Sequence, residues 1–242
     1  MLNLARKIRS VLFASACGFI IIIGCIVAPL VAFIFKLNKP EVFHRGGLIW
    51  AKILIMISGM KLKVEGLENI PSERPLIFAS NHQSYLDILI LICVLPLRFR
   101  FVAWDALFNI PFLGTYMKQY GHIPISENNF KEAQKTVLEI IDLIKAGESI
   151  VIFPEGKLTR DGKLGRFSRG PAFIALDTRA PVIPVVIDGS FHVLPRGEWA
   201  LRPGTVKIKI GKPLEFNHFD NSDKKTYLEA TERLKNSIEV ML

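Results

Sequence analysis

Cysteine is scarce in this chain: three in 242 residues, at positions 17, 25 and 93. All three lie in apolar runs, and their spacing matches neither a disulfide framework nor a zinc site. That usage agrees with a reducing compartment. His44, His82, His122, His192 and His218 stand in unrelated contexts, so no metal-ligand set is expected. There is no G-x-S-x-G segment, which argues against the nucleophile elbow of the serine hydrolases. There is no internal repeat and no low-complexity tract, so neither a solenoid nor a disordered array is expected. Charge, too, is missing over one long stretch: residues 11–35, VLFASACGFIIIIGCIVAPLVAFIF, carry none.

Twenty-five uncharged residues suffice to cross a hydrocarbon core of about 30 Å as a helix. A cleaved signal peptide has a shorter apolar core of about 7–15 residues, so the run reads as a retained membrane anchor, with Pro29 a candidate kink. Arg6, Lys7 and Arg9 flank one side, Lys36 and Lys39 the other. A second apolar segment, GLIWAKILIMISGM (47–60), is short for a span and is interrupted by Lys52. Either the first segment crosses and the second lies in the interface, or the two form a hairpin in one leaflet. Residues 36–46 read as the hinge between membrane part and catalytic part.

The net charge of +9 is concentrated at this end. Residues 1–60 hold seven Lys/Arg against Glu41, giving +6; the other 24 basic and 21 acidic residues give +3. Excess charge beside apolar segments suits anionic lipid, and nucleic acid is a poor explanation for it.

From Lys61 the pattern changes. Short strand-like runs (61–66, 75–80, 98–104, 122–125, 149–156 ending in a turn, 181–187, 205–214) alternate with helical ones (85–95, 111–121, 129–147, 170–180, and Asp223 to Val240). The clearest helix is 129–147, with Val137, Ile140, Ile141 and Ile144 at helical spacing and Gly147 at its end. The alternation predicts an α/β fold: a largely parallel mixed sheet flanked by helices, with an N-terminal apolar helical membrane anchor. The expected division is residues 1–60 for the anchoring segments and 61–242 for the α/β domain.

Two blocks carry chemistry. The first is Asn81-His82-Gln83-Ser84-Tyr85-Leu86-Asp87, between two apolar runs. On one continuous helix His82 and Asp87 would point roughly 140° apart, so the chain must turn here: strand, loop, then a helix with Ser84 as N-cap and Asp87 at its third position. His82 then folds back towards Asp87. Ser84 and Asp87 by themselves also read as a plain helix cap. A histidine at the C-terminal end of a strand, however, sits where α/β sheets build sites, and a His–carboxylate pair suits general-base work on a substrate hydroxyl. The second block is IVIFPEGKLTRDGKLGRFSRG (150–170). Here a strand ends in Phe153-Pro154-Glu155-Gly156, and Lys157, Arg160, Lys163, Arg166 and Arg169 follow at every third residue. A mobile basic loop at a strand end is a seat for phosphate, although composition alone also allows a merely solvated loop.

In order, these blocks resemble the glycerolipid acyltransferase family, the 1-acylglycerol-3-phosphate acyltransferases of the bacterial PlsC type. The H-x4-D motif matches NHQSYLD and the F-P-E-G motif matches Phe153 to Gly156; FLGTYMKQYGHIPI and VIPVVI resemble two further blocks. The match covers roughly residues 60–215. The resemblance implies transfer of a fatty acyl chain from acyl-CoA or acyl carrier protein to the free hydroxyl of lysophosphatidate, giving phosphatidate in phospholipid biosynthesis, with no cofactor. It implies that His82 deprotonates the hydroxyl, that Asp87 orients His82, and that backbone N–H groups near the two motifs hold the oxyanion. Asn81, Ser84, Phe153, Pro154, Glu155 and Gly156 would shape the substrate site. The implied place is a bacterial-type inner membrane, with the catalytic domain facing the cytoplasm.

Two departures bear on the acceptor. The family commonly continues F-P-E-G with Thr-Arg, where this chain has Lys157-Leu158. It often follows the I-P-I-like strand with Asp-Arg, where this chain has Ser126-Glu127. Lys157, Arg160 or Lys118 then stand as candidates for the acceptor phosphate, and another lysophospholipid or a hydroxyl-bearing aminolipid stands as alternative acceptor. A catalytically silent membrane-surface lipid-binding module and a thioesterase are the competing functions; the first would not need His82 and Asp87 together, the second would not need a phosphate clamp.

Overall fold

The computed structural model describes residues 4–73, 75–217 and 224–242. His218 and Asp223, the latter expected to open the last helix, lie outside them. Strands β1 (Met60–Glu65), β2 (Ile77–Ser80), β3 (Arg100–Trp104), β4 (Ile123–Ile125), β5 (Ile150–Ile152), β6 (Val182–Asp188) and β7 (Gly204–Ile210) form one sheet in the order β1-β7-β6-β2-β5-β3-β4. Every pairing is parallel except β6 with β7. The central strands β2 and β5 are apolar but for Ser80 and buried throughout, as parallel strands covered on both faces must be. β1 and β7 alternate buried and open positions instead.

Helices cover both faces. Leu86, Ile90 and Leu91 of α3 (Leu86–Val94) pack on Phe78, Val151 and Val185. On the other face lie Ile140, Ile141 and Ile144 of α5 (Phe130–Lys145), Ile174 and Leu176 of α6 (Gly170–Thr178), and Leu234 and Ile238 of α8 (Lys224–Glu239). Each such aliphatic side chain contributes about 1.5–3 kcal/mol on burial. Between these elements run α4 (Leu113–Tyr120) and the one-turn α7 (Ser190–Val193).

The N-terminal segments form a hairpin of α1 (Leu4–Ile34) and α2 (Lys39–Ser58). By length and composition α1 could cross a membrane. The expected hinge at 36–46 is much shorter: Phe35 to Asn38 turn the chain, and residues 39–46 already belong to α2. The Asn38 side chain accepts the Glu41 N–H and Pro40 fills the first turn, a start signal that overrides the charged residues following it. α1 is docked at two places. Arg6 donates to the carbonyls of Leu201 and Ala200, and Ser10 Oγ accepts the Leu201 N–H at 2.9 Å. Further along, Gly24 faces the Tyr116 ring and Cys25 Sγ donates to the Phe112 carbonyl. α2 meets α4 through Phe43, edge-on to Tyr116 and Tyr120, and through His44, whose Nδ1 is 2.9 Å from the Tyr120 hydroxyl.

Candidate active site

β2 lies between β5 and β6, and the three run in parallel. Their C-terminal ends therefore deliver the His82 loop, the Phe153–Gly156 turn and the segment after β6 to one end of the sheet, where ligands bind in open α/β folds. Asn81 joins two of them. Its side chain donates to the Ile187 carbonyl and accepts the Ile187 N–H, both at 2.8 Å. It is 1% exposed, so the amide expected to meet substrate holds β6 to the loop instead.

After Asn81 the chain turns and α3 begins. Asp87 lies in the first turn of α3, where the helix dipole favours negative charge. Its Oδ2 accepts from His82 Nδ1 at 2.9 Å, from the Gln83 N–H at 2.7 Å and from the Ser84 N–H at 2.9 Å. Oδ1 is buried and accepts no bond among the described residues. The capping differs from expectation: Ser84 Oγ accepts from the Leu86 N–H and donates to the Leu194 carbonyl at 2.8 Å. Ser84 is fully buried, which takes it out of contact with substrate. A carboxylate oxygen only accepts, so His82 Nδ1 carries the proton and Nε2 of the neutral ring is left as a base. The His82 side chain is 14% exposed, enough for a reactant to reach it.

Phe153 stacks on the His82 ring with centroids 3.8 Å apart, and Phe101 of β3 continues the stack at 6.3 Å. Phe153 to Gly156 form a tight turn closed by the Gly156 N–H on the Phe153 carbonyl at 2.9 Å, with Pro154 buried at its second position. Glu155 then reaches across. Oε1 accepts the His82 N–H at 2.9 Å, and Oε2 accepts the Gly165 N–H at 2.7 Å. Burial pushes the Glu155 carboxyl above its ordinary value, while those two N–H groups pull the other way.

The basic loop, expected to be mobile, is tied to both motifs. Thr159 donates its N–H to the His82 carbonyl at 3.0 Å, Ser168 its N–H to the Pro154 carbonyl, and Gln83 its side-chain amide to the Gly162 carbonyl. Lys157, Arg160, Lys163, Arg166 and Arg169 point outward and are exposed, whereas Leu158 is buried. Lys118 is exposed on α4 and touches neither His82 nor Glu155 among the described contacts. The expected oxyanion donors are partly committed: the N–H groups of His82, Gln83, Ser84, Gly156 and Thr159 all have acceptors within the chain. Those of Lys157 and Leu158 have none among the described residues.

Sequence reasoning missed Gln83, Gly165 and Arg196. A Cβ on Gly165 would lie 2.7 Å from Glu155 Oε2, and Arg196 reaches the Leu158 carbonyl at 3.4 Å. Gly165 was visible as one glycine among several in a loop; Arg196 had no local signal.

A family model described as Acyltransferase matches residues 61–188, just over half of the chain. A chloroplastic 1-acyl-sn-glycerol-3-phosphate acyltransferase of Arabidopsis thaliana is 32% identical over 225 residues, covering 90% of this chain and 62% of its own length. The chain thus spans about three-fifths of that relative, and 63% of a similar chloroplastic protein of Brassica napus. A 1-acyl-sn-glycerol-3-phosphate acyltransferase of Pseudomonas aeruginosa is 28% identical over 237 residues, covering 96% of this chain and 89% of its own. The crystal structure of the 1-acyl-sn-glycerophosphate acyltransferase PlsC from Thermotoga maritima superimposes with a TM-score of 0.79 at 28% identity, covering 98% of this chain and 97% of that one.

Proposed function

The chain belongs to the acyltransferase family, and on that premise we propose that it moves a fatty acyl chain from a thioester to 1-acylglycerol 3-phosphate. The donor is acyl-CoA or acyl carrier protein and the product is phosphatidate. Similarity to relatives that carry this activity in their names supports the choice of acceptor.

In this reading His82 Nε2 takes the proton of the acceptor's free hydroxyl as its oxygen attacks the thioester carbonyl. Asp87 stabilises the imidazolium that forms. The tetrahedral intermediate carries an oxyanion, and the unengaged N–H groups of Lys157 and Leu158 are the backbone donors at hand for it. Collapse breaks the carbon–sulfur bond. The thiolate leaves with the proton held by His82, so ester and free thiol form and the imidazole returns to its starting state. No residue is acylated and no cofactor takes part. The stack of Phe153 and Phe101 excludes water from one side of His82, which favours acyl transfer over hydrolysis.

The apolar outer face of α1, with Leu12, Phe19, Ile26 and Phe33 exposed, keeps this site at a lipid surface, where acceptor and acyl chain both reside. The catalytic part faces the cytoplasm, the compartment of acyl thioesters, and the basic N-terminal flank sits against anionic headgroups.

One observation carries the reading: the buried Asp87 carboxylate fixes His82 Nδ1–H and leaves Nε2 as a base at the end of the sheet. The experiment is a paired assay of detergent-purified wild type and His82→Ala. Each receives acyl-CoA and a panel of lysolipids, and thiol release is followed together with acylated product. Product with wild type and lysophosphatidate, and none with His82→Ala, is expected. Thiol without acylated lipid would replace the reading by a thioesterase; preference for a lysophospholipid with a head group would replace the acceptor.

A further inference from the structure

The turn after α7 carries an arginine that the reading above does not use. The Leu194 carbonyl takes the buried bond from Ser84 Oγ, so this segment is fixed to the His82 loop. Leu194 and Pro195 are themselves buried. The Glu198 N–H then donates to the Pro195 carbonyl at 3.1 Å, and Gly197 adopts φ +83°, the left-handed conformation that glycine supplies at the third position of a tight turn. That turn holds Arg196 over the loop after β5. Its Nη1 lies 3.4 Å from the Leu158 carbonyl oxygen, a long and weak bond. The next residue, Thr159, donates its N–H to the His82 carbonyl. One residue step therefore separates the anchor of this guanidinium from the loop's own bond to His82.

The acids nearby are engaged elsewhere. Glu198 is held by Arg202 and Arg6. Asp161 accepts from Thr159 Oγ1 and the Lys163 N–H. Glu155 accepts from His82 and Gly165. Arg196 enters no ion pair among the described residues, so most of its five N–H donors are open to an outside anion. Lys157 and Arg160, exposed on the adjoining loop, add positive charge.

We propose that Arg196 grips the phosphate monoester of the acceptor lipid and so sets its free hydroxyl against His82. This rests on the acyl-transfer reading. A guanidinium offers two parallel N–H groups to two phosphate oxygens, which a lysine on the loop does not.

The test uses full-length wild type, Arg196→Ala and Arg196→Lys in detergent, with lysophosphatidate and with a monoacylglycerol that lacks phosphate. Arg196→Ala raises KM for lysophosphatidate about 10- to 100-fold, the range of a charge-assisted hydrogen-bond pair. It leaves KM for acyl-CoA and turnover of the monoacylglycerol unchanged, and Arg196→Lys recovers part of the loss. In a second arm, glycerol 3-phosphate is titrated into His82→Ala and into His82→Ala/Arg196→Ala, and its binding weakens by a similar factor. An unaltered acceptor KM overturns the proposal, and so does an effect confined to acyl-CoA, which would assign the guanidinium to the donor's phosphates. If wild type acylates no acceptor, the acyl-transfer reading falls and the titration still decides. Binding lost with the arginine upholds a phosphate site; binding absent, or unaltered by its loss, overturns it.

Discussion

Glu155 accepts the backbone N–H of His82 at 2.9 Å, and its second carboxylate oxygen accepts the Gly165 N–H at 2.7 Å. One side chain thus staples the loop after β2 to the far end of the loop after β5. Glutamine has the same shape but only one oxygen, so its NH2 would face a backbone N–H. Glu155→Gln is expected to lower kcat/KM by about 100-fold and stability by about 1–3 kcal/mol, the cost of one buried donor left unmet. Gly165→Ala reaches the same state from the other side, because its Cβ would stand 2.7 Å from Oε2. Melting curves and initial rates of the two variants should therefore fall together. Wild-type activity in Glu155→Gln would show that the staple does not position His82.

Helices and strands were legible because periodicity changes sharply from one segment to the next, and the expected sheet strands all form. The approach of His82 to Asp87 was legible too, since a five-residue spacing forces a turn between strand and helix. Partnerships between distant segments were not. Asn81 looks like a site residue until β6 is found beside it. Glu155 looks like a substrate contact until His82, 73 residues away, is seen to take one of its oxygens. Arg196 lies beyond both motifs, and the fold alone brings it to Leu158. The early start of α2 was written in Asn38 and Pro40, but the charges of Glu41 and Arg45 mask it in any reading by hydropathy.

Asp87→Asn separates charge from shape. The asparagine oxygen can take the place of Oδ2 and keep all three donors, with its NH2 in the position of the partnerless Oδ1. The fold should persist while the imidazolium loses its counter-charge. The expected loss in kcat is about 100- to 10,000-fold, as for orienting carboxylates of other His-based sites. KM for both substrates should move little, and combination with His82→Ala should add almost nothing to the loss of His82→Ala alone. An Asp87→Asn enzyme with wild-type kcat would remove Asp87 from the mechanism.

His122 sets an acid limit on stability. Its ring stacks on Tyr120 at 4.3 Å, and its Nδ1 accepts the Phe101 N–H at 3.1 Å. Burial, and secondarily the Arg100 guanidinium, lowers its pKa from 6.5 to about 3. The unfolded chain thus binds a proton near pH 6.5 that the folded one refuses until about pH 3. The contribution is complete above pH 6.5 and declines as pH falls, by at most about 1.4 kcal/mol per pH unit, and by less to the extent that the ring edge meets solvent. Denaturant titrations at pH 7.5, 6 and 5 should show this decline. His122→Gln keeps an acceptor for Phe101 and should flatten it; an equal slope in the variant would place the acid sensitivity elsewhere.

The two docking points of α1 bear on how the hairpin meets a membrane. Contacts with the globular part begin at Arg6 and Ser10 and continue to Cys25. α2 rejoins the globular part at Phe43 and His44. Beyond Cys25 only nine residues of α1 remain before its end at Ile34, and at 1.5 Å each they reach about 14 Å. That is about half of a hydrocarbon core near 30 Å thick. The hairpin tip, with Phe33, Phe35 and Leu37 exposed, is therefore expected to enter one leaflet without emerging beyond it. In a chain whose three cysteines are replaced by serine, Leu37→Cys is expected to resist a membrane-impermeant thiol reagent from either side of sealed vesicles. A cysteine in place of Lys7, exposed in the first turns of α1, should react from the side that bears the catalytic domain. Labelling of Leu37→Cys from the opposite side would mean that α1 undocks from Tyr116 and crosses.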